Sequence, residues 1–367
     1  MFRHLTLLSL AVLLITLLGC QEEGPSSQKG ATDYTVLLPE NPVAKGDRLL
    51  AVGPTESIRG FDESFAEARR IGPQFIELNL EWTRFETNEG TFQDPEEILS
   101  AISVFGANNI QVAFSFANIN TVQRTEPDYL RSKAFDDPAY IQAFTDWVDY
   151  IMNNKADNVL VAYLSLGNEV DVYLNGDDWA AYRTFVEQSI AHVHREYPGI
   201  PVGAKVTVMD GLLGGKQDEV VALLALTDVA MLNYYPLNPS FQVLPPSILN
   251  THLPQIIQLV QQPIYFTELG YQSGSDYAGS SEVQQAEFYH AWFEKWDEYR
   301  DQIKLTNIVW LHDVSSEQVA AWRDYYGVAD PGFAEYLATL GVRTHNHTDK
   351  AAWQQIIADA NARGWKP

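Results

Sequence analysis

The chain has 367 residues, 46% hydrophobic and 20% charged, with a formal charge of −24 at pH 7. That is the composition of a globular protein of one large or two modest domains. Its acidity makes polyanions such as nucleic acid and anionic headgroups poor partners and leaves neutral ligands open.

The first segment is read as a targeting element. Arg3 and His4 precede an apolar stretch over 5–18, too short and wrongly flanked to span a bilayer, so 1–19 reads as a secretory signal. Leu17-Leu18-Gly19-Cys20 resembles the bacterial lipobox, in which the cysteine is lipidated and begins the mature chain. The resemblance implies an exported protein, lipid-anchored at Cys20 in the cell envelope. Gln21 in place of aspartate directs it to the outer membrane where a cell has two membranes. Cys20 is the single cysteine, so the body is expected to hold no disulfide and no cysteine zinc site. Residues 20–47 are polar and carry Gly24, Pro25, Gly30, Pro39 and Pro42, as expected of a flexible tether.

From residue 48 apolar runs alternate with helical patterns. Run 49–53 is followed by a helical spacing over 64–71, and run 75–80 by a helix over 94–105 opened by Asp94-Pro95. Run 110–116 precedes a longer loop and a helix over 138–154. Run 159–166 precedes a helix over 177–195, with Tyr182, Phe185, Val186, Ile190 and Val193 on one face. Run 201–208 leads to a helix near 218–226, and run 229–235 to one over 248–260. Run 264–267 leads to a helix over 281–300, with Ser281 and Gln284 placed for a capping box. Run 305–311 precedes a helix near 331–340. Eight such units predict a parallel sheet and an α/β fold, a single-domain (β/α)8 TIM barrel over 48–343. No glycine-rich phosphate loop follows the first run, which weighs against an open nucleotide-binding sheet. Residues 344–367 are expected to form a C-terminal helical extension packed on the barrel.

In a barrel the chemistry sits where strands end. Those ends carry Trp82 and Glu86, Asn118, Asn168 and Glu169, Lys205 and Thr207, Asn233 and Tyr235, Glu268, and Trp310, His312 and Asp313. Carboxylates, amides and aromatics suit a neutral polyhydroxylated ligand. Glu169 and Glu268 each end an apolar run that has no structural use for a carboxylate. Two facing carboxylates can cleave a glycosidic bond, one protonating the leaving oxygen and the other attacking the anomeric carbon.

Here the residues carry a resemblance. Gly167-Asn168-Glu169 on a fourth strand and Thr267-Glu268 on a seventh resemble the clan A retaining β-glycosidases, the cellulase and endo-β-1,4-galactanase-like superfamily of barrels. The resemblance implies that Glu169 is the acid/base and Glu268 the nucleophile. It implies that Asn168, Tyr235 and Trp310 bind substrate, and Trp82…Glu86…Glu89-Gly90-Thr91-Phe92 is similar to the clan's segment after strand two. Trp82, Asn118, Asn233 and His312 complete the expected ligand-contacting set. The chain departs from cellulase-like members in carrying Asn233-Tyr234-Tyr235 on strand six and Asn118 where they often have histidine.

The function expected is a retaining glycoside hydrolase acting on β-linked oligo- or polysaccharide outside the cytoplasm, with no cofactor and no metal. The alternative is a glycan-binding surface lipoprotein on the same scaffold without catalysis. A metal-dependent barrel hydrolase would carry His-x-His on its first strand, and 49–53 has no histidine.

Overall fold

A computed structural model describes residues 34–55 and 57–366. The signal 1–19 and Cys20 lie outside the described residues. Eight parallel strands follow one another around the barrel: β1 Leu49–Val52, β2 Phe75–Leu80, β3 Gln111–Asn120, β4 Val161–Asn168, β5 Val202–Gly203 continuing in Lys205–Thr207, β6 Ala230–Tyr234, β7 Ile264–Leu269 and β8 Ile303–Ile308. They form two ladders, β2-β3-β4-β5 and β1-β8-β7-β6-β5. β5 breaks at Ala204 and joins both, its first half pairing β4 and its second half β6. On the far side, the Gln74 N–H donates to the Leu50 carbonyl at 3.0 Å, bringing β1 to β2. The fold is α/β, with helices around the parallel strands.

Alternation sorts each strand's residues. Ile76, Leu78 and Leu80 of β2 face the helical shell, as do Val112, Phe114 and Phe116 of β3. Ala51, Phe75, Ala113, Tyr163, Met231 and Leu305 fill the barrel interior. The shell is α1 Gly60–Ala68, α2 Ile98–Ala101 with Ser103–Ala107, α3 Pro138–Asn154, α4 Asp178–Glu196, α5 Gln217–Leu224, α6 Leu249–Leu259, α7 Glu282–Glu298 and α8 Ala351–Ala362. Asp137 caps α3 by accepting the Ala139 N–H, with Pro138 in the first turn. The Ser281 hydroxyl accepts the Gln284 N–H at the start of α7.

The C-terminal expectation is corrected. Residues 344–367 are no extension outside the barrel, because α8 is the eighth unit's own helix, seated between α7 and the chain after α1. Arg363 bonds Asp297 of α7 at 2.8 Å, and Trp365 stacks on Trp296 at 4.8 Å. The helix expected in that place, Pro331–Thr339, belongs with Ser316–Tyr326 to an insert between β8 and α8. Lys350 closes the insert's base, bonding Asp313 at 2.7 Å and the Gly341 carbonyl at 2.8 Å.

The tether is also shorter than expected. From Tyr34 onward the chain is held against the outer shell: the Tyr34 hydroxyl donates to Gln355, and Val43 N–H to Asp297. Arg48, buried, bonds Asp297 at 2.8 Å.

Trp82 needs a second correction. Its side chain is 0% exposed, stacked on Trp147 at 5.1 Å and packed edge-on to Tyr140 and Phe144. Its indole N–H donates to Glu86 at 2.7 Å, and Glu86 also accepts the Gly90 N–H and the Tyr129 hydroxyl. The tryptophan–glutamate–glycine segment is therefore a clamp inside the shell, and Trp82 meets no ligand. Trp82→Ala should destabilise the protein by about 3–5 kcal/mol through lost contacts and a cavity. Denaturant unfolding checks the loss, and substrate affinity is expected to stay unchanged.

Candidate active site

The C-terminal ends of the strands bring Glu169 and Glu268 together. Glu169 directly follows β4 with φ +49°, a left-handed backbone that costs a non-glycine residue about 1 kcal/mol or more. Gly167, two residues earlier, has φ +81°, and a Cβ there would strike Val170 and the Tyr182 hydroxyl. The Gly-Asn-Glu sequence thus turns the chain sharply out of the strand and aims the carboxylate over the barrel.

Asn233 on β6 lies between the two acids. Its amide nitrogen donates to Glu169 Oε1 at 3.3 Å and to Asn168 Oδ1 at 3.2 Å, and it stands beside Glu268 in the β6–β7 ladder. Thr267 fixes the amide by donating to its oxygen at 2.9 Å. Asn168 in turn donates to Asn120 at 3.2 Å, so a chain of amides crosses the floor from β3 through β4 to β6. The Thr121 hydroxyl donates to Glu169 Oε2 at 2.9 Å. The Tyr235 hydroxyl donates to Glu268 Oε2 at 2.5 Å.

The two acids differ in environment. Burial first, then the charges of Glu268 and Asp171, raise Glu169 to about 8 against the hydrogen bonds from Thr121 and Asn233. Burial raises Glu268 too, but Lys205 opposes the shift, joined by hydrogen bonds from Tyr235 and Asn233, while Glu77 adds to it. Of two carboxyls this close, the one whose charge is better held by a cation and hydrogen bonds loses its proton first. That is Glu268, which leaves Glu169 protonated at neutral pH.

Two further expected ligand contacts do not reach the mouth. Asn118 is buried in the shell, donating to the Tyr140 hydroxyl at 3.3 Å and accepting from Tyr182 at 3.3 Å. β3 continues to Asn120, and its register against β4 shifts between Phe116 and Asn120. The shift resets the alternation, so Asn120 and Thr121 take the place expected of Asn118. His312 is 0% exposed behind the strands, its ring 4.5 Å from the tilted ring of His347 and 3.2 Å from Arg343. Burial, with the charges of Arg343 and His347, drops it to about 3, so it is neutral and structural.

Trp310 stands half-buried after β8, beyond a cis Val309–Trp310 peptide, its ring 4.7 Å from Trp322 of the insert. The insert reaches across the mouth. Tyr325 donates to the Asn120 carbonyl at 2.7 Å, on the strand three places round from β8. Tyr326 packs edge-on to Phe333 at 5.5 Å, and Tyr336 packs edge-on to Tyr235 at 5.6 Å. Glu335 holds the insert down by accepting the N–H groups of Asp276, Tyr277 and Ala278. Sequence reasoning missed Asn120, Thr121 and these tyrosines. The signal available was the run Trp322 to Tyr336, unusually aromatic for a surface helix pair.

Gly270 keeps Tyr235 in place, since a Cβ there would overlap the Tyr235 ring and crowd Leu340. Gly270→Ala should push the tyrosine off Glu268 and lower kcat/KM about 10²-fold, the scale of a 1 Å misplacement. Steady-state kinetics beside an unchanged melting curve checks it.

No protein-family profile matches the chain. No curated protein matches it. Solved structures do match in fold. A GH5_18 protein from Bifidobacterium longum subsp. infantis is 14% identical with a TM-score of 0.65, over 86% of this chain and 78% of that one. A GH5_18 variant from Streptomyces cattleya, in complex with Manβ1-4GlcNAc, is 14% identical with a TM-score of 0.65, over 87% and 82%. The exo-β-1,4-mannosidase Op5Man5 from Opitutaceae bacterium strain TAV5 is 15% identical with a TM-score of 0.64, over 86% and 59%. At these identities the likeness establishes the barrel fold.

Proposed function

We propose that the protein is a retaining β-glycosidase in which Glu169 is the acid/base and Glu268 the nucleophile. The observation that carries this is one amide, Asn233, which donates to Glu169 Oε1 at 3.3 Å and stands beside Glu268 in the β6–β7 ladder. Neighbouring strands stand about 4.8 Å apart, so an amide that bonds Glu169 directly beside Glu268 favours the short spacing of a retaining pair over the wider inverting one. Glu268 attacks the anomeric carbon while Glu169 delivers its proton to the departing oxygen. A covalent glycosyl-enzyme forms, and Glu169, now a base, draws a proton from the water that releases the sugar. Tyr235 and Asn233 hold the Glu268 charge before attack. Asn168 and Asn120 offer amide groups to sugar hydroxyls, and Trp310 offers an apolar face.

Three lines favour short β-linked substrates. Structural neighbours are described with Manβ1-4GlcNAc or as an exo-β-1,4-mannosidase. The aromatic insert crosses one side of the mouth, and Asn120, Asn168 and Asn233 join in one amide chain across the floor. β-Mannosides are therefore the first substrates to test. Incubation with β-linked disaccharides and polysaccharides, read by release of new reducing ends and by the anomer first formed, tests the reading. Glycan binding with no release across the panel would replace it with the non-catalytic glycan-binding protein.

We also propose export and lipid anchoring at Cys20. Cys20→Ser should move the protein from the membrane fraction to the soluble one, read by fractionation after metabolic labelling with a fatty acid.

A further inference from the structure

Beneath the two carboxyls the barrel interior holds a second charged pair that the reaction above leaves unused. Lys205 on β5 and Glu77 on β2 meet there as an ion pair, with Lys205 1% exposed. The Tyr163 hydroxyl of β4 donates to the other Glu77 oxygen. Lys205 stands beside Met231 in the β5–β6 ladder, and Asn233, two residues nearer the mouth, stands beside Glu268 in the β6–β7 ladder. The charged layer therefore lies about 7 Å beneath the layer of Glu268. Around it the interior is apolar, with Ala51, Phe75, Ala113 and Leu305.

Packed apolar side chains are the ordinary filling of such an interior. A buried ion pair adds little stability over apolar residues of the same volume, because both ions lose their hydration. Stability alone does not account for the pair. Its charges act on Glu268 across a poorly solvated space, where Coulomb interactions carry further than in water.

We propose that the Lys205–Glu77 pair is an electrostatic positioning element for Glu268, Lys205 holding that carboxylate ionised and Glu77 limiting how strongly it does so. The inference rests on reading Glu268 as the acid that must be ionised. The other groups facing Glu268 are Glu169 and Tyr163 from β4, Tyr235 beyond β6, and Tyr326 and Tyr336 from the insert. Among these, Lys205 is the cation. Its ammonium and the Glu77 carboxylate act on Glu268 with opposite sign.

Opposite sign separates this role from a structural one. A pair that merely packed the layer would disturb Glu268 in the same direction whichever member was removed. The test is a carbon-13 NMR titration of glutamate carboxyls in the full-length protein, with the Glu268 signal assigned by its loss in Glu268→Gln. Lys205→Met should raise the Glu268 midpoint by about one pH unit. Glu77→Gln, which keeps its bond to Tyr163, should lower it by less than that. Lys205→Arg should leave it near wild type. The acid limb of turnover should move the same way in each variant. Midpoints that move in the same direction, or one that does not move, overturn the inference. If Lys205→Met fails to fold, Glu77→Gln decides alone, and an unmoved or raised midpoint overturns it. The titration needs no turnover: an inactive wild type overturns the proposed function, while the NMR midpoints still decide this point.

Discussion

Glu268→Ala is expected to lower kcat by about 10⁴-fold or more, the scale seen when a covalent nucleophile is removed. The residue sits at the end of β7 with Tyr235 donating to it at 2.5 Å and Asn233 beside it on β6. No other described carboxylate accepts the Tyr235 hydroxyl, so no neighbour is placed to take over attack. Alanine leaves a space beside the anomeric carbon that a small anion can enter. Azide should therefore restore part of the turnover and yield a glycosyl azide of the opposite anomeric configuration. NMR of the product reads both points. Activity equal to wild type would remove Glu268 from the mechanism.

Glu169→Gln should act through leaving groups and through pH. Glutamine keeps the bonds to Thr121 and Asn233 but has no proton to give. Substrates with poor leaving groups should slow about 10²–10⁴-fold, and activated aryl glycosides much less. Glu169 is raised to about 8, chiefly by burial. Wild-type activity should therefore fall as pH rises through 8, when the acid is lost, and the variant should lack that limb. The same shift bears on stability. Between about 4.5 and 8 the folded protein keeps a proton that the unfolded chain releases, so this group lowers stability as pH rises through that window. Glutamine stays neutral throughout. The variant should gain on wild type in melting temperature between pH 5 and pH 9, at the cost of catalysis.

Much of this was legible in one sequence, and the failures share a cause. Buried parallel strands are apolar on both faces, so 159–166 and 264–267 announced themselves, and the carboxylates at their tips stood out against that background. Asn118 and Trp82 failed because strand ends are where local rules lapse. A register shift in β3 moved the site's amide to Asn120, and Trp82 turned inward to donate to Glu86. His312 failed for a similar reason, as its position after β8 said nothing of the Arg343 and His347 side chains that enclose it from the C-terminal segment. The last helix was misplaced because an insert of two helices looks, in sequence, like the helix that closes a barrel unit.

The amino-acid sequence by itself determined the eight alternating units, the acids at the tips of β4 and β7, and the turn that Gly167 permits before Glu169. These are matters of local periodicity and backbone freedom, which neighbouring residues in the chain settle among themselves. Only the tertiary structure decided that one amide lies between both acids, that Glu169 keeps its proton while Lys205 and Tyr235 hold the Glu268 charge, and that a tyrosine-bearing insert crosses the mouth. Those depend on distances between residues up to 205 positions apart in the chain, such as Tyr325 and Asn120, and on the burial that only the closed barrel creates.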